Sequence, residues 1–446
     1  MLDNICAIAT PYGTGAISII RCSGPNAIEL VNKCFKGKNL NKVKSHTIHY
    51  GYIIDNEDVI DEVLCNVFIA PNSFDGENTV EINCHGGVYV TNLVLQTLLK
   101  NGFRMAERGE FSKRAFLNKK IDLTQAEAIM DIISSNNKLA LKASTNSLRE
   151  KTSLMIKDFR NKILDILAKI EVNIDYPEYD DAVTVTNEYL MPIINELLGE
   201  MNLILKNSSI STILVSGIKT AIVGKPNVGK SSLLNMMLDE DKAIVSNIAG
   251  TTRDLVEGML NIGNITLHLI DTAGIRESND YIESIGIERS TKAIASADLV
   301  LLVLDSSNPL EEEDYKLLKL TENKNRIIIA NKNDLENKIN IDNVLYISAK
   351  EHKGLEELVD KIYEVTSIKD FNVDSTKYLN NNRQVSLMNK AYNSLMEAKK
   401  AIENNISIEL IEIDIKEAFD ALGEITGESY PDELITALFT KFCLGK

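Results

Sequence analysis

The spacing of apolar residues changes character three times along the chain. Between residues 1 and about 118, short β-branched runs such as AISIIR (16–21) and HTIHYGYII (46–54) are broken by Gly, Pro and Asn. Runs of that kind bounded by turn residues predict strands, and this stretch reads as an α+β domain. From Thr124 apolar residues recur at intervals of three and four, in QAEAIMDIISS and in the long run LALKASTNSLREKTSLMIKDFRNKILDILAKIEVNI. Such spacing puts one apolar stripe on a helix, which Pro177 is expected to end, and a further helix is predicted from about Glu188 to Leu205.

From Thr220 the pattern becomes strand, loop, helix. TAIVG, LHLIDTAG, LVLLVLD, RIIIANKND and VLYISAK each end an apolar run on a motif or turn. Motifs at strand ends are expected along the carboxyl edge of a parallel sheet, where doubly wound folds bind their ligands. After about Asp374 helical spacing returns, in RQVSLMNKAYNSLMEAKKAIEN, IELIEIDIKEAFDALGEI and DELITALFTKF. The expected fold is multidomain α/β plus all-α. It has an N-terminal α+β domain at 1–118, a discontinuous helical domain at 119–216 and 373–446, and an inserted doubly wound P-loop domain at 217–372.

Composition narrows the function classes. With 44% hydrophobic and 25% charged residues among 446, the chain has no compositional case for global disorder. No apolar run approaches the roughly 20 residues needed to span a bilayer. Asp3 stands where a signal peptide would be basic, so a cytoplasmic protein without a membrane span is expected. The six cysteines form no CxxC pair and no metal-ligand spacing with the five histidines, which fits a reducing compartment. A net charge of -16 argues against an indiscriminate nucleic-acid binder. The basic stretch from Lys100 to Lys120 leaves room for a local basic face or for an ordinary solvated surface.

The chemistry concentrates after residue 217. Gly224-Lys225-Pro226-Asn227-Val228-Gly229-Lys230-Ser231, followed by Ser232, is a phosphate-binding loop between a strand and a helix. Its glycines let backbone N–H groups approach phosphates, Lys230 neutralises them, and Ser231 offers a hydroxyl to Mg2+. Asp271-Thr272-Ala273-Gly274 ends a strand and brings a carboxylate near the magnesium shell and a flexible amide near the terminal phosphate. Thr252, in GTTRD, is the natural second hydroxyl for the metal, although GTTRD alone could be an N-capping turn. Asn331, Lys332 and Asp334 of NKND carry base selectivity, because the Asp334 carboxylate can accept two hydrogen bonds from guanine that adenine cannot donate. Ser348 and Ala349 of SAK close on the base through the backbone. Together these elements select GTP over ATP.

One residue departs from the familiar signalling GTPases: Ile275 follows DTAG where those proteins place a water-orienting glutamine. Arg253, Arg276, Glu277, Glu283 and a bound cation are the candidate substitutes. Asn227 is either a ligand for a monovalent cation beside the phosphates or a turn residue after Pro226.

The whole chain resembles the tRNA modification GTPase family called MnmE or TrmE. The resemblance lies in GTGAISIIRCSG (13–24), FDGENTVEINCHGG (74–87), GEFSKRAFLNKKIDLTQAEAIMDII (109–133), IDYPEYD (174–180), GIRESNDYIESIGIERS (274–290) and FCLGK (442–446). Lys119 stands where that family usually has glycine. The resemblance implies a homodimer formed through a folate-binding-like N-terminal domain that takes 5,10-methylenetetrahydrofolate, with 5-formyltetrahydrofolate as an analogue. It also implies potassium-dependent GTP hydrolysis with paired GTPase domains. In a heterotetramer with a FAD-containing partner of the MnmG or GidA type, such proteins add a carboxymethylaminomethyl or aminomethyl group to carbon 5 of the tRNA wobble uridine.

Carried over by position, the run Ser246-Asn247-Ile248-Ala249-Gly250-Thr251-Thr252 belongs to the nucleotide site. Within it Ser246, Ile248 and Thr251 join Asn227 as the K+ site, and Thr252 joins Ser231 at Mg2+. Glu283 matches the residue that helps orient the attacking water; its alternative is a surface glutamate paired with a neighbour such as Arg289. Glu81 could grip the aminopyrimidine edge of a pterin, while Arg21, Lys120 and Lys446 suit its anionic tail; read without the resemblance they are surface charges. Cys443 is either a reactive thiol or a small buried hydrophobe. His85 reads as a turn or capping histidine and is left out of the catalytic set. A regulatory switch in ribosome assembly is the competing function, but it leaves the N-terminal motifs and FCLGK without a role.

If Asn227 holds a monovalent cation in place of the missing glutamine, GTP hydrolysis is expected to be much faster in potassium than in sodium at equal ionic strength. Equal rates with GTP binding intact would leave Asn227 a turn residue.

Overall fold

A computed structural model describes residues 3–175, 187–238, 258–270, 291–369, 371–429, 432–440, 442 and 445. The chain divides into two compact units, Met1–Met130 with Gly423–Lys446, and Asp131–Leu422.

The first unit is built on seven strands. They are β1 (Ile5–Ile8), β2 (Ile17–Ser23), β3 (Phe35–Gly37), β4 (Thr47–Asp55), β5 (Asp58–Phe68), β6 (Thr79–His85) and β7 (Arg104–Met105), in the order β3-β4-β5-β6-β2-β1-β7. Every pairing is antiparallel except β1 with β7. Alternation along the strands sorts their side chains. Ile20, Cys22, Ile53, Val63, Cys65, Val67, Val80, Ile82 and Cys84 form a core with Ala27 and Val31 of helix Ala27–Cys34 and Val94 and Leu98 of helix Val88–Lys100. The opposite parity gives Ile17, Ile48, Tyr50 and Leu64, all exposed, together with Arg21, Glu81, Asn83 and His85. Cys6, Cys22, Cys34, Cys65 and Cys84 are free, buried thiols. Burial alone pushes the Cys6 thiol to about 12.

Of the basic stretch seen in the sequence only Arg114 turns fully inward, while Lys100, Arg104, Arg108, Lys119 and Lys120 stay exposed. Arg114, on helix Glu110–Leu117, is only 1% exposed. Its guanidinium donates to Glu77 Oε2 at 2.8 Å, Glu110 Oε1 at 2.9 Å, Asp3 Oδ1 at 2.8 Å and Asp3 O at 3.0 Å. Arg104 shares Glu110 and Asp3. These contacts tie together three separate segments: the residues before β1, the 74–79 loop and the 110–117 helix. In that loop buried Asp75 accepts from Ser23 Oγ, Thr79 Oγ1 and the Glu77 backbone N–H. Residues 423–446, which the sequence pattern groups with the helical flanks, pack in this unit. Ile435 and Phe439 of helix Asp432–Phe439, with Phe442, meet Leu123 and Ala126 in one cluster.

The second unit carries a six-stranded sheet: β8 (Ile218–Val223), β9 (Gly258–Ile262), β10 (Ile265–Ile270), β11 (Leu299–Asp305), β12 (Arg326–Asn331) and β13 (Val344–Tyr346). The order is β13-β12-β11-β8-β10-β9, parallel except for the β9–β10 hairpin. Helices Lys138–Leu148, Lys151–Asp175, Asn187–Ser216 and Asn382–Glu403, with most of Ile408–Thr426, flank it in sequence. The long helical run expected from residue 139 is two helices, because Glu150 takes a left-handed φ of 64° and the Ser147 and Thr152 hydroxyls meet across the corner at 3.0 Å. Helix Asn187–Ser216 runs well past Leu205. Polar residues beyond Leu205 have partners on the segment returning from the sheet: Ser208 Oγ accepts the Leu379 N–H at 2.8 Å and Ser211 donates to Asn380 at 2.8 Å. Among the described residues no helix is long and apolar enough to cross a membrane.

Replacing Arg114 by alanine should destabilise the first unit by about 3–5 kcal/mol in urea unfolding, since Glu110 and Glu77 would keep buried charge without a counter-ion. Lys119 sits at φ 55°. There Lys119→Gly should raise stability by roughly 0.5–1 kcal/mol, as the left-handed region is free for glycine alone.

Candidate functional site

In the second unit β8 lies centrally, with β11 on one side and β10 on the other, so the chain reverses direction of travel across the sheet at its carboxyl end. That switch point is where doubly wound sheets open a crevice for ligands. The loop Gly224–Gly229 leaves β8 there and opens helix Lys230–Leu238. The Lys230 ammonium donates to Gly224 O at 2.6 Å and Lys225 O at 2.7 Å, so the lysine is folded along its own loop. Burial lowers its proton affinity below the ordinary value. Val228 is buried, whereas Asn227, at a left-handed φ of 63°, is exposed, as are Ser231 and Ser232 on the first turn of the helix.

Two further loops converge on this one. Asn331, 2% exposed at the end of β12, donates from Nδ2 to Val228 O at 2.9 Å and accepts the Ala349 N–H at 3.0 Å. Beyond it the Asn333 N–H reaches Ile347 O at 3.0 Å. Ser348 Oγ donates to Asp334 Oδ1 at 2.7 Å, and this bond is the chief reason the exposed Asp334 carboxyl titrates below its usual range. Thus Asn331, Val228 and Ala349 are directly joined, as are Asp334 and Ser348.

Sequence reasoning overlooked Asp305. It ends β11 in register with Asn331 and accepts Lys332 Nζ at 2.7 Å. Burial works to raise its carboxyl, but hydrogen bonds from Lys332 and Ser307 prevail and hold it at about 2. Its signal was available: a carboxylate ending an apolar strand at the ligand edge of a parallel sheet.

In the first unit Arg21 and Glu81 face each other across β2 and β6. Arg21 Nη2 is 2.9 Å from Glu81 Oε1, and Nε donates to the same oxygen at 3.0 Å. The guanidinium lies 5.2 Å from the centre of the Phe74 ring and 5.6 Å from that of Phe111, and donates to Gly445 O at 3.4 Å. Lys120 is exposed and donates to Pro71 O at 3.0 Å, on the loop that carries Phe74. Two residues expected to act as separate ligands are therefore one ion pair, with Lys120 one loop away. His85, set aside in the sequence, is pinned by Asp61: its Nδ1 is 2.7 Å from Asp61 Oδ1 and its backbone N–H donates to Oδ2 at 2.8 Å. Ser246, Asn247, Ile248, Ala249, Gly250, Thr251, Thr252, Asp271, Thr272, Ala273, Gly274, Glu283, Cys443 and Lys446 lie outside the described residues, as does Pro177.

Comparison with known proteins accounts for both units. The family pattern described as "GTP-binding protein TrmE N-terminus" matches residues 4–120, and "MnmE helical domain" matches residues 123–443. The "tRNA modification GTPase MnmE" of Acholeplasma laidlawii is 52% identical over 451 residues, covering 100% of this chain and 99% of that protein. The chain belongs to the tRNA modification GTPase MnmE family. It is therefore one of the GTP-hydrolysing enzymes. The MnmE protein of Ligilactobacillus salivarius is 49% identical over 456 residues, covering 100% of this chain and 98% of that one. Among solved structures, the G domain of the T. maritima FeoB iron transporter is 33% identical over 33% of this chain and 98% of that chain, at a TM-score of 0.26. The assignment to the MnmE family rests on the sequence matches and not on that likeness.

The Asp305–Lys332 pair has a pH signature. Because the folded carboxyl titrates at about 2 and not at its ordinary 3.8, the stability it contributes is complete above 3.8 and disappears as the pH falls through about 2. The difference in unfolding free energy between wild type and Asp305→Asn should shrink across that window; a constant difference would mean the pair adds nothing.

Proposed function

We propose that this chain hydrolyses GTP and couples the cycle to modification of carbon 5 of the wobble uridine in certain tRNAs. The group added is carboxymethylaminomethyl or aminomethyl, and the partner is a FAD-containing protein of the MnmG or GidA type with which the chain forms a heterotetramer. The observation that carries the nucleotide part is the Asn331 junction, which sets the phosphate loop beside the NKND and SAK loops while Ser348 orients Asp334. An Asp334 carboxylate so oriented is suited to accept guanine's ring N–H and exocyclic amine.

Ser231, exposed on the first turn after Lys230, is a hard oxygen donor that suits Mg2+, with Thr252 as the second hydroxyl. The metal, when bound, neutralises phosphate charge. Asn227, exposed and turned by its left-handed backbone, is compatible with a K+ ligand set completed by Ser246, Ile248 and Thr251. Glu283 is assigned the orientation of the attacking water. In the first unit the Arg21–Glu81 pair beside Phe74 offers charge of both signs next to a flat apolar ring. That chemistry fits a one-carbon tetrahydrofolate with an aminopyrimidine edge and an acidic tail, held also by Lys120 and Lys446. Exposed Ile17, Ile48, Tyr50 and Leu64 on one sheet face support homodimerisation through this unit. The protein is assigned to the cytoplasm, and Cys443 is kept as a candidate reactive thiol.

Glu283→Ala should retain GTP affinity and fold while slowing hydrolysis by one or more orders of magnitude. Nucleoside analysis of tRNA from cells carrying only that variant should show wobble-uridine modification falling with the rate. Normal hydrolysis would return Glu283 to a surface ion pair, and full modification at slow hydrolysis would uncouple the two activities.

A further inference from the structure

Lys225, the second residue of the phosphate loop, occupies a position that the pattern Gly-x-x-x-x-Gly-Lys-Ser leaves open to any residue. In the fold its side chain is committed. The ammonium lies 2.7 Å from Asp314 Oδ2 and 2.8 Å from Glu311 Oε2, and the side chain is only 16% exposed. Asp314 is buried, and its Oδ2 also accepts the Glu311 backbone N–H at 2.9 Å, closing the cap of helix Glu312–Leu320. Burial on its own would weaken the Lys225 ammonium, yet the hydrogen bonds to Asp314 and Glu311 prevail and hold it above its ordinary value.

The backbone of the same residue has a separate task. Lys225 O, with Gly224 O, receives the Lys230 ammonium. A residue anchored by its side chain thus presents one of the two acceptors that aim the phosphate-binding lysine. The anchor also has reach. Segment 305–314 begins at Asp305, which holds Lys332 on the base side, and ends at Asp314, which holds Lys225 on the phosphate side.

We propose that Lys225 is a positioning residue of the nucleotide site, whose ion pair with Asp314 and Glu311 fixes the phosphate loop to segment 305–314. Through that segment the phosphate loop and the base-recognition loop share one frame, so the two ends of a bound guanine nucleotide are released together. This inference rests on the nucleotide-site reading above.

The test uses the full chain, with stopped-flow release of fluorescent mant-GDP and mant-GTP, steady-state GTP hydrolysis and thermal unfolding. Lys225→Met is expected to speed release by about tenfold and to raise KM by a similar factor, with kcat at saturating GTP held within about twofold. It should also lower Tm, because buried Asp314 loses its counter-ion. Adding Asp314→Asn removes that stranded charge, so Tm should recover while release stays fast. Lys225→Arg keeps the cation and should restore slow release. Wild-type release from Lys225→Met would overturn the proposal. So would slow release returning together with Tm in the double variant, since the lysine would then serve only to neutralise Asp314. A wild-type chain that binds neither nucleotide would overturn the nucleotide-site reading itself, and this proposal with it.

Discussion

The buried carboxamide of Asn331 uses its donor on the phosphate loop, at Val228 O, and its acceptor on the Ser348-Ala349 turn, at the Ala349 N–H. A buried amide deprived of one partner costs about 1–3 kcal/mol, so moving either loop away breaks a bond that water cannot readily replace. The approach depends on Gly229: a Cβ there would lie 2.1 Å from Asn331 Nδ2. The second glycine of the phosphate motif is therefore needed for the protein's own Asn331 to approach. Around this junction the other contacts fall into place. Register sets Asp305 opposite Asn331, Lys332 turns to Asp305, and Ser348 turns to Asp334.

The first unit is held by a comparable economy of means but with charge. Arg114 gathers Asp3, Glu77 and Glu110 from three segments that the chain visits at different times. This gives part of the GEFSKRAF and FDGENT motifs a structural meaning: Glu110, Arg114, Glu77 and Asp75 shape the loop that carries Phe74 beneath Arg21. Arg21 and Glu81, by contrast, are only partly buried, and Arg21 lies beside the rings of Phe74 and Phe111.

The nucleotide strands were legible because each is an apolar run ending on a recognisable motif, and the phosphate, NKND and SAK loops follow from local sequence. What escaped was long-range. The corner at Glu150 carries neither Gly nor Pro, and the helix continues past Leu205 where Ser208 and Ser211 find partners at Leu379 and Asn380. Lys225 fills a motif position open to any residue and Asp305 showed only as a carboxylate ending a strand; their partners lie 89 and 27 positions away, at Asp314 and Lys332. The pairing of Arg21 with Glu81 needed the register of two strands 60 residues apart.

Gly445 packs so closely on β1 that a Cβ would lie 2.5 Å from Ile8 O, and its carbonyl meets Arg21 across a separation of 424 residues. A growing polypeptide at roughly 5–20 residues per second makes β1 long before the segment that covers it. For an interval on the order of tens of seconds the earliest part of the chain waits for the residues that cover it. The Arg21 environment is thus assembled late in biosynthesis, so that nascent chains pass through a stage in which the nucleotide half is already translated and the other half still lacks its last contact.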